Sequence, residues 1–385
     1  MTLTVNGRVD AQFAPMREVL EALLASGDEV GGAVAVVHHG ALVVNLWGGF
    51  RDRARSAPWA ENTLACAFST TKGITATCAL MAAERGLLDL DAPVAELWPE
   101  FAAHGKVRIP VRQLLNHRSG LVGFHEPFPR ERFYDWDAVT VRLAAEQPWW
   151  EPGTRHGYHA RTFGFLVGEV LKRATGDSVG AWLQREIARP LGLDMHIGLH
   201  EPDLARCAEI VPARVRAGGR VALPPEGTEL MRAMNDASTP TGAAFQNPSL
   251  GAGYMNSPEF RTAELPAMNG HATAVSLAMV YDALMSGRLL APAWLERATL
   301  TESLGTDEVL RSVTRFGLGF LLGSEGLRLA CGEHAFGHPG AGGSIAFADP
   351  EHGFGFAWLM NQMRPGVIGG SPSAVALVEC LYRCL

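Results

Sequence analysis

The chain has 385 residues, 47% of them hydrophobic and 19% charged, with a formal net charge of -7. This composition describes a globular protein large enough for two lobes, and singly scattered arginines on an acidic chain give no sign of a nucleic-acid-binding surface. No apolar run reaches the roughly 18 residues of a membrane span, and Asn6, Arg8, Asp10, Gln12, Arg17 and Glu18 interrupt any signal-peptide core, which points to the cytoplasm.

Residues 11–26 carry Phe13, Met16, Val19, Leu20, Leu23 and Leu24 at helical spacing. Two apolar runs, 32–38 and 41–46, flank a His39-Gly40 turn and read as a β-hairpin buried on both faces. A helix is expected over 69–85, capped by Ser69, Thr70 and Thr71 and stopped at Gly86. Residues 161–174, 179–189 and 273–286 read as helices, and the Pro-, Gly- and Asn-rich stretch 211–270 as irregular surface over a cleft. Residues 316–322, 343–348 and 353–360 read as strands, before a closing helix over 372–384. Strands at both ends imply a sheet lobe made of 1–86 and 275–385, with a mainly helical lobe, 87–274, inserted and a cleft between them.

Lysine usage singles out one position. The chain has 30 Arg but only Lys72, Lys106 and Lys172. A Lys kept against that bias suggests chemistry Arg cannot do, because a buried Lys can lose its proton. Lys72 stands three residues after Ser69, a spacing expected by chance roughly 0.1 times in such a chain. On a helix the two share one face, and the helix N-terminus favours negative charge on the Ser oxygen.

A Ser-Lys nucleophile needs a proton relay and an oxyanion hole. Tyr158, one of five Tyr, follows the Pro152-Gly153-Thr154 turn, and Phe336-Gly337-His338-Pro339-Gly340-Ala341 leads into a strand whose glycines let backbone N–H groups approach a ligand. By themselves these could be an interface tyrosine and an ordinary turn.

Together, Ser69-Thr70-Thr71-Lys72, Tyr158 and His338-Pro339-Gly340 resemble the serine β-lactamase-like family. That family includes class C β-lactamases, penicillin-binding DD-peptidases and family VIII carboxylesterases, the last being the nearest pattern. Leu114–Leu121 and Pro190–Leu193 match its scaffold segments, so the likeness runs from about residue 30 to 362. It implies an α/β plus α fold in two lobes, with a central antiparallel sheet flanked by helices. Ser69 would be the acylated nucleophile, with Lys72 and Tyr158 relaying its proton. The N–H groups of Ser69 and Ala341 would form the oxyanion hole, and His338 and Gly340 would bind substrate. Which of Lys72 and Tyr158 is the base stays open, since the two would titrate as a pair.

Two departures from the penicillin-active pattern matter. Ala160 stands where those enzymes carry Asn, and His338 stands where they carry Lys. Both favour a carboxylesterase for short-chain esters. The alternatives are a β-lactamase or DD-peptidase-like amide hydrolase, an acyltransferase to a specific alcohol, or a non-catalytic binding module. The expected partner is a small ester, with no nucleic acid or membrane and no cofactor or metal implied. Cys66, Cys78, Cys207, Cys331, Cys380 and Cys384 lack metal-binding spacing and read as reduced core residues.

Other features have plainer readings. Gly176-Asp177-Ser178-Val179-Gly180 matches a hydrolase nucleophile elbow, but a helix precedes it and Ser178 reads as a helix cap. His117 is expected to hydrogen-bond to backbone near the cleft, and His156 and His159 to lie at the surface or behind the pocket.

Overall fold

The computed structural model describes residues 4–213, 225–324, 332–364 and 371–385; Cys331 and part of the stretch 211–270 fall outside them. Twelve strands run in chain order: β1 (Val5–Val9), β2 (Gly31–His38), β3 (Ala41–Gly49), β4 (Ala65–Cys66), β5 (Met195–Ile197), β6 (Gly270–Ala272), β7 (Ser303–Thr306), β8 (Val313–Phe316), β9 (Leu321–Leu322), β10 (Phe336–Pro339), β11 (Ile345–Asp349) and β12 (Phe354–Met360). Nine form one antiparallel sheet in the order β1-β3-β2-β12-β11-β10-β9-β8-β7, while β4, β6 and β5 form a small second sheet. The β2–β12 pairing joins the two ends of the chain, with Val34 opposite Trp358.

The period of two assigns side chains to opposite faces of the sheet. Val34, Val36, Phe354, Phe356, Trp358 and Met360 pack with Met16, Leu20, Leu377 and Leu381 of the helices Pro15–Ala25 and Pro372–Cys384. Ala35, Val37, Ala346, Ala348 and Ala357 face the other way, against the helix Ala274–Met285. Small residues let that helix sit close: a Cβ on Gly355 would fall 2.4 Å from the Ala278 carbonyl oxygen. The helix Thr71–Glu84 is buried on all sides but its last residue, as its apolar, Ala-rich sequence requires.

The expected elements appear with specific differences. The region expected as one strand over 316–322 is two, β8 and β9. Gly319, at φ 83°, turns the chain where a Cβ would lie 2.3 Å from that of Ala76. The helix expected from residue 69 begins as a 3-10 turn, Phe68–Thr70, and becomes α-helical at Thr71. The expected Ser-Thr cap is not made: Thr70 occupies the cap with no side-chain hydrogen bond, and Thr71 Oγ1 accepts from the Gly270 N–H at 2.9 Å instead. The helix over 179–189 is broken by a π turn at Gln184–Ala188. The stretch read as irregular holds the helices Pro225–Met234, Pro240–Gln246 and Pro258–Thr262. Among the described residues no helix is long and apolar enough to cross a membrane.

Candidate active site

Ser69 lies where β4 turns into the buried helix Thr71–Glu84. The turn is tight: Phe68 is held at φ 50°, a left-handed backbone that costs a bulky residue about 1–3 kcal/mol unless its surroundings enforce it. Burial of the Phe68 side chain and the 2.7 Å hydrogen bond from Ala67 N–H to the Gly270 carbonyl fix the turn from both sides.

One turn on, Lys72 is fully buried. Its Nζ lies 3.2 Å from Ser69 Oγ and donates to the carbonyls of Ala160 at 2.8 Å and Ala267 at 3.0 Å. Burial holds its pKa well below the ordinary 10.5.

Tyr158 is buried beside them, with its ring centroid 4.6 Å from Lys72 Nζ. The ring stacks between His338 and Phe316, at centroid distances of 5.8 and 6.3 Å. Burial, against a smaller pull from neighbouring Ser69, keeps the phenol protonated well above its ordinary range.

His338 is the last but one residue of β10, whose partner β11 places it opposite Ala346. Its Nδ1 lies 2.6 Å from the Pro339 carbonyl, which can only accept, so Nδ1 carries the proton. Burial pulls the imidazole pKa down to about 3, leaving the ring neutral. Gly340 donates its N–H to Ser344 O at 2.7 Å, and Ser344 Oγ donates to Ala67 O at 2.9 Å. These bonds tie the third motif to the nucleophile turn. Neither the Ser69 nor the Ala341 N–H donates to any hydrogen bond among the described residues, so both remain open to an oxyanion.

One pocket brings the sequence candidates together: Ser69, Tyr158, His338, Gly340 and Ala341 line it, with Phe245, Leu310, Phe316, Leu321 and Pro339 as apolar walls. Lys72 reaches it through Ser69. Among the described residues no Lys, Arg, Asp or Glu lines it.

The other candidates fall outside this pocket. Ser178 caps the helix Val179–Leu183, accepting from Ala181 N–H at 3.2 Å and donating to Glu264 at 2.7 Å. His117 Nδ1 accepts the His159 backbone N–H at 3.2 Å, the backbone contact expected of it. His159 and His156 are both buried, bonded to Ser119 and Thr314 respectively. Among the described residues, Asp349, Glu351 and His352 could together reach a metal, but they sit in the β11–β12 turn and Asp349 already accepts from His352 and Tyr382.

Sequence reasoning missed the carbonyls of Ala160 and Ala267 and the carboxylate of Asp307. Backbone acceptors have no side-chain signature. Asp307 accepts the Tyr158 N–H at 3.0 Å from 149 residues away.

Comparison with known proteins finds relatives over nearly the whole chain. An esterase/beta-lactamase, LipL, of Mycobacterium tuberculosis is 34% identical over 93% of this chain and 83% of its own. A family VIII carboxylesterase structure superposes with a TM-score of 0.89 at 37% identity, over 99% of this chain and all of that one. A penicillin-binding protein homolog from Caulobacter crescentus gives a TM-score of 0.88 at 36% identity, over 99% of this chain and all of that one. Residues 16–377 match the Beta-lactamase family, and the chain belongs to it.

Proposed function

We propose that this protein is a serine carboxylesterase that hydrolyses short-chain esters through an acyl-Ser69 intermediate. The observation that carries the reading is the pocket itself. A Ser-Lys-Tyr cluster opens into apolar walls, and a neutral His338 replaces a permanent cation. Such a site suits neutral acyl groups.

The chemistry follows from hydrogen-bond counting. A neutral amine has two N–H bonds and one lone pair. Lys72 spends its two N–H bonds on Ala160 and Ala267, so the lone pair faces Ser69 Oγ. Lys72 takes the Ser69 proton as Oγ bonds to the ester carbonyl carbon, and the N–H groups of Ser69 and Ala341 hold the oxyanion. When the C–O bond breaks, Tyr158 protonates the leaving alkoxide and recovers its proton from Lys72. Water repeats the sequence on the acyl-enzyme.

The same reading divides the chain into a sheet lobe, 1–86 with 275–385, and a helical lobe, 87–274. Ser69 and His338 come from the first, Tyr158 and the Ala160 and Ala267 carbonyls from the second. The five described cysteines are free, which supports a reducing compartment such as the cytoplasm. A second reading, amide hydrolysis of β-lactams, draws on the same nucleophile and on the relatives' names; the missing cation at His338 weighs against it.

The test compares initial hydrolysis of p-nitrophenyl butyrate by wild type and Ser69→Ala. Turnover lost in the variant supports the reading. Equal turnover places the nucleophile elsewhere, with Ser178→Ala the next variant. Inertness of wild type toward esters, with turnover of nitrocefin, favours the second reading.

A further inference from the structure

Asp307 lies just past β7 and is fully buried. Its Oδ1 accepts three backbone N–H groups, from Tyr158 at 3.0 Å and from Val309 and Leu310 at 2.8 Å each. Its Oδ2 accepts the Thr314 hydroxyl at 3.3 Å. That hydroxyl has then given its only proton, so its 2.9 Å contact with His156 is one in which His156 Nε2–H donates. A second strap runs beside the first, from Glu308 N–H to the His156 carbonyl at 3.1 Å. One carboxylate thus fastens the turn bearing Tyr158 to the hairpin bearing Leu310, and both residues line the pocket.

Among the described residues no cation pairs with Asp307, and burial pushes its carboxyl up to about 6 despite those hydrogen bonds. A carboxylate holds those N–H groups more firmly than a neutral amide would, which suits a segment that must be kept in one place. Burial chiefly opposes the Tyr158 phenolate, and the nearby charge adds to it in a smaller degree. The other titratable groups around the ring are Lys72, His117 and His338, and both histidines are neutral.

We propose that Asp307 is a positioning residue for Tyr158, whose carboxylate fixes the tyrosine peptide against the acyl-pocket wall. This rests on the role of Tyr158 given above. Asp307 touches no reacting atom; it acts through Tyr158 and leaves Lys72 as the acceptor of the Ser69 proton.

The test is a double-mutant cycle with Asp307→Asn, Tyr158→Phe and both together. The substitutions are near-isosteric, and the Asn oxygen can still accept the three N–H groups, so folding is expected to survive; thermal unfolding checks it. The readout is kcat and KM for p-nitrophenyl butyrate, whose activated leaving group keeps the Tyr158→Phe background measurable. Asp307→Asn is expected to lower kcat about tenfold in the wild-type background with KM within about twofold, and to change kcat by less than about twofold when Tyr158 is already Phe. An equal loss in both backgrounds, or no loss in the first, overturns the proposal. If Tyr158→Phe itself costs nothing, it is the reading of Tyr158 that fails, and with it this inference.

Discussion

Lys72 Nζ donates a 2.8 Å hydrogen bond to the backbone carbonyl of Ala160, the position at which penicillin-active relatives carry an asparagine side chain. The backbone thus supplies a partner for Lys72 that needs no amide. With Ala267 it leaves a neutral Lys72 one lone pair, aimed at Ser69. Because burial lowers the Lys72 pKa, the neutral form takes over well below pH 10.5. Activity should rise with pH through that lowered value and stay high above it. A rate profile that climbs only near 10.5 would contradict the assignment. Lys72→Arg keeps the charge but has no lone pair, and should lose about a hundred- to ten-thousandfold in kcat.

The acid limb of that profile should not belong to histidine. Burial pulls His338 and His159 down to about 3 and His156 to about 4. All three are neutral throughout the range where an ordinary imidazole titrates. In His338→Asn the rate constants are expected to change, but the midpoint of the acid limb to stay within about 0.3 pH units of wild type. Disappearance of the limb in that variant would make His338 the titrating base.

Gly340 is required by space. Its φ of −117° suits any residue, yet a Cβ there would lie 2.1 Å from Ser344 Oγ and 2.4 Å from the Ala67 carbonyl oxygen. Those two atoms form the bond that ties the third motif to the nucleophile turn. Gly340→Ala should break it, costing about 1–3 kcal/mol by overpacking and shifting the Ala341 N–H away from the oxyanion. The expected result is a lower Tm and a fall in kcat of about tenfold or more, a typical price for a misplaced oxyanion donor. Wild-type kinetics in Gly340→Ala would show that the third motif does not set the oxyanion geometry.

The parts of this architecture visible in the sequence are those with a repeating pattern or a side chain of rare chemistry. The β2–β3 hairpin, the helix Ala274–Met285 and the closing helix follow from apolar periodicity. The Ser69–Lys72 pair stands out because Lys is scarce. What stayed hidden depends on tertiary contact. The 3-10 turn at Ser69 is imposed by Phe68 burial and by Gly270, about two hundred residues away in sequence. The break between β8 and β9 exists because Gly319 must pass Ala76 of the buried helix. Nothing in the sequence sets Asp307 apart from the other acids; only folding shows that three amides converge on it.

Glu29 offers a check on the fold independent of catalysis. Its side chain is fully buried, with Oε1 accepting from Ser373 Oγ at 2.6 Å and lying 3.5 Å from Arg364, while Oε2 has no hydrogen-bond partner. Burial raises its carboxyl from 4.5 to about 7, against the pull of Ser373 and Arg364. Between these values the native state holds a proton that the unfolded chain has released. The associated stability is therefore full below pH 4.5 and lost as pH rises through about 7. The loss at pH 8 approaches about 3 kcal/mol for a shift of this size. Measured against Glu29→Gln, wild type should thus lose several degrees of melting temperature between pH 5.5 and pH 8.5, roughly as ΔΔG over the unfolding entropy dictates, while the buried neutral histidines shift both proteins alike. Glu29→Gln cannot ionise, so whatever the amide itself costs, the wild-type melting temperature minus that of the variant should shrink over that interval. Parallel curves for the two proteins would mean that Glu29 keeps an ordinary pKa and that the contact between β2 and the closing helix is wetter than the structure shows.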